Sequence, residues 1–230
     1  MKFASALILA ILAALVVPFL FKDIGRQPDV DPNTRLPWQI RVDARGQTEV
    51  FGLQPGISRL ADVQQAFGTD MELAIVAAPD EAGTLEGYYS QVALGFVLAR
   101  VIVTVDLPET RISDLRERAV RAKHMDSATR KITLHPDDVA AVLNEPIRAI
   151  SVIPTVNLDE ATILQRFGPP GERLVVSEKR THFFYPPLGL DVILDQEGKE
   201  LLQYVAPRDF SFLREPLRGV GEKTAPEPGR

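Results

Sequence analysis

The chain of 230 residues contains no cysteine. This absence excludes a disulfide framework, a thiolate metal site, a cysteine nucleophile and the lipid-carrying cysteine of a lipoprotein. No run of five or more basic residues occurs and the formal net charge is -5, which argues against a nucleic-acid-binding surface. With 45% hydrophobic and 25% charged residues, the composition is that of a folded protein with one sizeable core or two small ones.

Common catalytic motifs are also missing. There is no G-x-S-x-G elbow, no G-x-x-x-x-G-K-[ST] loop and no G-x-G-x-x-G loop. The three histidines, His124, His135 and His182, do not occur in a metal-ligand spacing. We expect His124 at the end of a basic helix, His135 at a helix start before Asp137, and His182 at an outward-facing strand position. The sequence therefore predicts no catalytic, cofactor-binding or metal-binding residue.

The N-terminal region contains the longest uncharged run. Phe3 to Phe21 comprises 19 residues without a charge, and a helix of that length spans about 28 Å, close to the thickness of a bilayer core. Bulky residues follow instead of a small-x-small cleavage site, so we predict an uncleaved signal anchor. The alternatives are a cleaved signal peptide and a buried core helix. The anchor predicts a single-pass inner-membrane protein with its soluble part in the periplasm.

Two similar segments follow one another along the chain. Phe67-Gly68 and Phe167-Gly168 lie 100 residues apart, and each pair ends a short amphipathic stretch. The aromatic pair Tyr88-Tyr89 corresponds to Phe184-Tyr185 further along the chain. Such self-similarity indicates an internal repeat.

The pattern of apolar residues predicts the elements of each repeat. We expect helices at 58–67, 109–124, 137–143 and 158–167, with Ser58 capping the first. Predicted strands are 71–77, 85–91, 92–98, 101–107, 131–134, 147–153, 174–177, 181–185, 190–194 and 201–205, with a turn near Ala99-Arg100. The fold class is α+β: a tandem repeat of a short helix on an antiparallel meander, preceded by one transmembrane helix.

The predicted organisation has five parts. An anchor (1–22) and a proline-containing tether (23–49) precede the first repeat with a trailing helix (50–125). A linking strand and helix with the second repeat (126–210) and a disordered tail (211–230) complete the chain. Trp38, in the tether, is expected either at the membrane interface or packed on the first repeat.

The first repeat carries Pro55-Gly56-Ile57-Ser58, then Asp62-Val63, then Phe67-Gly68, ahead of strands with an aromatic pair. This pattern resembles the SmpA/OmlA (BamE-like) outer-membrane assembly lipoproteins and is similar to the tandem-repeat β-lactamase inhibitor proteins. In the second repeat the resemblance rests on Asp159, Glu160, Ile163, Phe167, Gly168 and Pro170. The chain lacks the lipid-carrying cysteine of the first family. The resemblance implies a helix-on-meander fold and a protein-binding domain, without catalytic residues, in the bacterial cell envelope.

The expected function is therefore a non-enzymatic, membrane-anchored protein-binding or scaffold module in envelope assembly. Tyr88, Tyr89, Phe184 and Tyr185 are the predicted partner-binding residues, because aromatic side chains on a sheet face bind partners with little loss of entropy. One alternative is an extracytoplasmic enzyme with a site between the repeats that uses His135, Asp137 or His182. Another is a module that binds a small ligand or lipid there.

Overall fold

The computed structural model describes residues 34–78, 81–124, 129–219 and 222–224. The predicted anchor, Phe3 to Phe21, lies outside these ranges. Within them, no helix has both the length and the apolar character that crossing a membrane requires.

Thirteen strands form a two-stranded ribbon and one large antiparallel sheet in the described ranges. The ribbon pairs β1 (Arg41–Val42) with β2 (Thr48–Glu49). The remaining strands are β3 (Glu72–Ala77), β4 (Thr84–Leu94), β5 (Val97–Val105), β6 (Arg121–His124), β7 (Arg130–Thr133), β8 (Ile147–Pro154), β9 (Glu172–Ser177), β10 (Arg180–Tyr185), β11 (Leu190–Asp195), β12 (Leu201–Val205) and β13 (Glu222–Thr224). Their order across the sheet is β13-β9-β10-β11-β12-β8-β5-β4-β3-β7-β6.

In the same described ranges, five α-helices accompany the sheet: α1 (Leu60–Phe67), α2 (Glu109–Glu117), α3 (Pro136–Val142), α4 (Glu160–Phe167) and α5 (Ser211–Arg214). Short 3₁₀ turns occur at Pro186–Leu188, Pro207–Asp209 and Glu215–Leu217. The chain thus has the predicted mixed helix and sheet character, with an antiparallel sheet. All the described residues belong to one compact unit.

Helices α1 and α4 begin and end in similar ways. The carboxylate of Asp62 accepts a hydrogen bond from the Arg59 N–H at 2.7 Å, and the carboxylate of Asp159 accepts one from the Thr162 N–H at 2.7 Å. The prediction that Ser58 caps α1 is wrong, because its hydroxyl accepts a hydrogen bond from the Gln54 N–H instead. Both helices stop at a glycine with positive φ, Gly68 at 100° and Gly168 at 77°.

The main core lies between the sheet and these two helices. Leu60 and Val63 of α1 and Ile163 of α4 are fully buried in the same apolar cluster as the sheet centre. The sheet contributes Val101 and Val103 from β5, Ile150 and Val152 from β8, and Leu202 and Tyr204 from β12. Strand alternation therefore gives the sheet an inner face, toward α1 and α4, and an outer face.

The predicted turn near Ala99-Arg100 is wrong. β4 and β5 are longer than expected and join at Gly95-Phe96, where Leu94 pairs with Val97. Gly95 has φ of +61°, a value that favours glycine in a tight turn. Ala99 is buried and Arg100 exposed, as alternating residues within one strand.

The predicted helix at 109–124 is correct only in its first half. Helix α2 ends at Glu117, and residues 121–124 form the edge strand β6. The Val120 N–H donates to the carbonyl oxygen of Thr133 at 3.1 Å, so the chain is already paired with β7 at that point. The chain pairs with β7 and does not continue as a helix, because residues 118–124 have no apolar stripe that a longer helix could bury.

The predicted tail does not begin at residue 211. Residues 207–217, which we call the C-terminal segment, form α5 and two 3₁₀ turns on the outer face. Leu213 is buried against Ala149 and Val205. A tail was expected because residues 219–230 are a mixture of Gly, Pro, Glu and Lys. Before that stretch, Leu213 and Phe210 attach the C-terminal segment to the sheet.

Candidate functional site

One row of residues crosses eight neighbouring strands on the outer face. The register of the sheet aligns Glu72, Tyr88, Ile102, Ser151, Gln203, Asp191, Phe184 and Glu172 in that order. Paired residues point to the same face of an antiparallel sheet. The row begins and ends at glutamates that lie 100 residues apart in sequence, and an aromatic residue stands next to each.

The second half of this row is covered by the C-terminal segment. Phe184 meets Phe210 edge to face, with ring centroids 5.7 Å apart. The Arg214 guanidinium lies 5.6 Å from the centre of the Phe184 ring and donates to the Glu172 carboxylate at 2.9 Å. Aromatic, cation–π and ion-pair contacts thus combine at this site, and Phe184 is fully buried.

The first half of the row is more open. Tyr88 and Ile102 are half-buried, and the Glu72 side chain is 60% exposed while it forms an ion pair with Lys131 at 2.5 Å. Beside them, burial raises the pKa of the Glu86 carboxyl, although a hydrogen bond from the Thr84 hydroxyl opposes this effect. We call Glu72, Glu86, Tyr88, Ile102 and Thr104 the open face.

A cleft lies between the ends of β5 and β8 and the C-terminal segment. It is lined by Asp106 and Arg148 on the sheet side and by Ser211, Phe212 and Glu215 on the other. The Arg148 guanidinium donates to the Asp106 carboxylate at 2.9 Å through Nε and lies 5.2 Å from the centre of the Phe212 ring. The edge of the C-terminal segment therefore offers both charge and an exposed aromatic ring next to the open face.

The four predicted partner-binding residues do not share one surface. Tyr89, Phe184 and Tyr185 are buried, and only Tyr88 remains on the open face. These four residues therefore cannot act together as one binding surface. Adjacent strand residues point to opposite faces, so each aromatic pair has one member in the core and one on the outer face.

The inward member of each pair ties its meander to a helix. The Tyr89 hydroxyl donates to the Gly68 carbonyl at 2.8 Å, and the Tyr185 hydroxyl donates to the Gly168 carbonyl at 3.0 Å. The ring centroids of Phe67 and Tyr89, and of Phe167 and Tyr185, both lie 5.8 Å apart. Burial raises the pKa of Tyr89 and of Tyr185 to about 12.

His182 points to the outer face as expected, but it is not exposed there. It is buried on the outer face, and its Nδ1 lies 2.7 Å from the Asp191 carboxylate. Burial raises the pKa of Asp191, and the hydrogen bond to His182 opposes the shift. The neighbouring Phe184 ring packs beside the imidazole, with centroids 5.6 Å apart.

His135 and Asp137 lie far from His182. His135 starts α3 after β7, and its Nδ1 accepts a hydrogen bond from the Asp137 N–H at 3.3 Å. Six strands lie between β7 and β10 in the sheet. Among the residues that the structure describes, no group of three or more His, Asp or Glu side chains could hold a metal ion. The residues considered for an enzyme therefore do not form one site.

Sequence reasoning missed Glu72 and Ile102. The available signal was the spacing in the sequence, because Glu72 and Glu172 share the 100-residue offset of the two Phe-Gly pairs. No protein-family model, curated protein or solved structure matches this chain.

Proposed function

We propose that this protein is a non-enzymatic, membrane-anchored module of the bacterial cell envelope that binds another protein through the open face. The main support for this proposal is that the two halves of the outer row differ in solvent exposure. The half at Phe184 and Glu172 is covered by the chain's own C-terminal segment, whereas Tyr88, Ile102 and Glu72 keep exposed surface.

The two halves are, in this proposal, two copies of one helix-on-meander unit within residues 50–125 and 126–210. Three similarities support the repeat: the matching helix ends at Gly68 and Gly168, the matching tyrosine hydrogen bonds, and the symmetric order of residues along the outer row. β3, β4 and β5 of the first copy then correspond to β9, β10 and β11 of the second. The same equivalence relates Glu72 to Glu172 and Tyr88 to Phe184.

The covered half indicates the chemistry of the partner. There, the sheet offers a carboxylate and an aromatic ring, and the C-terminal segment supplies an arginine and a phenylalanine. The open face offers the same pair in Glu72 and Tyr88. A partner with an arginine beside an apolar side chain on a short helix fits this surface by charge and shape. The partner segment would lie beside Leu213, which packs on Ala149 and Val205.

Membrane attachment in this proposal comes from Phe3 to Phe21, which has the length and apolar character of a single span. The chain then crosses the inner membrane once, with the folded unit in the periplasm. A role in envelope assembly follows from this location and from the resemblance of the Pro55-to-Gly68 pattern to the assembly lipoproteins.

Photo-crosslinking in membranes tests the binding face. A photoreactive amino acid at Ile102 of the full chain is expected to capture a defined protein in the envelope, and Glu72→Lys is expected to reduce that adduct because it reverses the charge that the partner's arginine needs. The matched control places the photoreactive residue at Val120, which is 57% exposed outside the open face.

Three results would contradict the proposal. The first is no adduct at Ile102, and the second is an adduct of equal yield at Val120. The third is an Ile102 adduct that persists at full yield with both Glu72→Lys and Tyr88→Ala, since the partner would then ignore the two groups that define the face.

A further inference from the structure

Exposed apolar side chains surround the tip of the β4–β5 hairpin. Phe96 in the turn is 59% exposed and Leu98 at the start of β5 is 42% exposed. The Leu98 carbonyl accepts hydrogen bonds from the N–H of Thr155 at 2.8 Å and from its hydroxyl at 2.9 Å. These bonds hold the chain after β8 beside the hairpin, where Val156 is 47% exposed.

Trp38, the single tryptophan of the chain, also belongs to this group through its contact with Phe96. Its ring lies 5.9 Å from that of Phe96, measured between centroids. The preceding residue is fixed, because the buried Tyr204 hydroxyl donates to the Pro37 carbonyl at 2.8 Å. We call Trp38, Phe96, Leu98 and Val156 the tip patch.

Three cationic side chains flank the tip patch. The Arg166 guanidinium lies 4.5 Å from the centre of the Trp38 ring. Arg100 is exposed two residues beyond Leu98 on the same face of β5. The Lys199 ammonium donates to the side-chain Oδ1 of Asn157 at 2.5 Å, next to Val156. Tryptophan and phenylalanine at a protruding turn, bordered by lysine and arginine, are the side chains favoured where a protein meets a bilayer surface.

We propose that the tip patch inserts into the interface of a phospholipid bilayer with anionic headgroups. The proposal rests on the membrane anchoring in the proposed function. Lys22 follows the apolar run and lies 16 residues before Trp38, and a chain of that length reaches at most about 55 Å when fully extended. The anchor therefore confines Trp38 to within about 55 Å of the membrane, a distance that allows the tip patch to contact the bilayer surface. Charge complementarity between the three cations and anionic lipid favours the bilayer over another protein as the occupant.

This contact also sets the orientation of the binding module. The tip patch lies at the end of β4 and β5, whereas Tyr88 and Ile102 lie near the middle of these strands. With the hairpin tip on the bilayer, the open face projects away from the membrane and stays accessible to a partner.

Trp38 is a built-in reporter for the experiment. The full chain is reconstituted into vesicles of phosphatidylcholine and phosphatidylglycerol, with and without bromine on the acyl chains, and Trp38 emission is recorded. We expect a blue-shifted emission that brominated lipid quenches, and at least a roughly twofold loss of quenching in the double variant Leu98→Ser and Val156→Ser, since buried apolar area sets interfacial binding. These two residues are not the ring neighbours of Trp38, and Val120→Ser serves as the matched control with unchanged quenching.

A second measurement separates this inference from the anchor. An alkaline wash followed by flotation reports whether the chain stays in the membrane. A retained chain with unquenched Trp38, or quenching that the double variant leaves unchanged, overturns the tip patch while the anchor stands. A chain released by the wash whose Trp38 is still quenched by added vesicles supports the tip patch and overturns the anchor. A blue shift that grows with protein concentration without lipid assigns the patch to a second copy and overturns the inference.

Discussion

At the scale of single residues, His182 and Asp191 form a buried polar pair on the outer face, and burying it costs free energy. Both side chains are buried, and Asp191 Oδ1 has no hydrogen-bond partner among the described residues. Removing a carboxylate from water disfavours its charged form, and the single bond to His182 does not fully compensate. The ionisation of Asp191 therefore opposes folding.

This predicts opposite pH dependence for two aspartates. Because the folded-state pKa of Asp191 is raised, its contribution to the free energy of unfolding is largest in acid and declines as pH rises through that pKa. Asp191→Asn should therefore gain stability relative to the wild type as pH rises from about 3 to 7, measured by urea unfolding at each pH.

Asp195 provides the matched control. Hydrogen bonds from the Arg180 side chain and from the Glu197 N–H lower its pKa, so its contribution is present above the usual pKa and is lost as pH falls. Asp195→Asn should lose stability relative to the wild type as pH rises. Parallel pH trends in the two variants would show that the carboxylate of Asp191 is not penalised by burial.

At the scale of elements, the same tie joins each helix to its meander. The helix ends at Phe-Gly, the glycine carbonyl accepts from a buried tyrosine, and the phenylalanine ring packs on that tyrosine. The two ties differ by only 0.2 Å in hydrogen-bond length, 2.8 Å against 3.0 Å. We therefore expect the Tyr89 and Tyr185 hydrogen bonds to contribute similar amounts to the free energy of unfolding.

Tyr89→Phe and Tyr185→Phe should each lower the free energy of unfolding by about 1 kcal/mol, because each leaves a glycine carbonyl without its partner. Tyr88→Phe, on the open face, should change it by less than about 0.5 kcal/mol. Denaturant unfolding at neutral pH measures all three.

In alkali, the wild type should lose stability as pH rises from the usual tyrosine range toward 12, where the buried phenols of Tyr89 and Tyr185 ionise. If only one of Tyr89→Phe and Tyr185→Phe lowered the free energy of unfolding, the two tyrosine hydrogen bonds would not be equivalent.

At the scale of the whole molecule, both halves share one sheet and one main core. β5, β8 and β12 are neighbours at its centre, and Val101, Val152 and Leu202 are fully buried there. A boundary between independent domains would need few contacts across it. The junction of the halves is instead a pair of hydrogen-bonded strands within the core.

The two halves should therefore unfold in one transition. Val101→Ala in the first half and Leu202→Ala in the second should both lower the melting temperature of the whole unit, and Leu202→Ala should cost about 2–5 kcal/mol. Calorimetry is the measurement, with equal calorimetric and van't Hoff enthalpies as the expected result. Two resolved transitions, of which each variant shifts only one, would mean that the halves fold separately.

Much of the element pattern followed from local sequence. Period-two and helical spacing located α1, α4 and the strands β3, β7 and β8 to β12, because these segments bury one face and their residues alternate accordingly. Local spacing misled at Arg100, where a charged residue in a strand looked like a turn. It also misled after Glu117, where charged residues looked helical although the chain pairs with β7.

The candidate site was less accessible to sequence reasoning. Tyr88 was identified, but Tyr89, Phe184 and Tyr185, which were predicted with it as partner-binding residues, are buried. Glu72 and the C-terminal segment were not considered, since the contact between Arg214 of α5 and Glu172 of β9 joins residues 42 positions apart. Such a contact has no local signature.

By itself, the sequence determined the mixed helix and antiparallel-strand character, the absence of any cysteine chemistry, and the paired Phe-Gly helix ends. These properties depend on composition, on periodicity, and on the positive φ that glycine allows at a helix end. Only the tertiary structure decided which half of the outer face is covered and where Trp38 meets Phe96. Those outcomes depend on strand register and on segments that are distant in sequence, and local preferences carry no information about either.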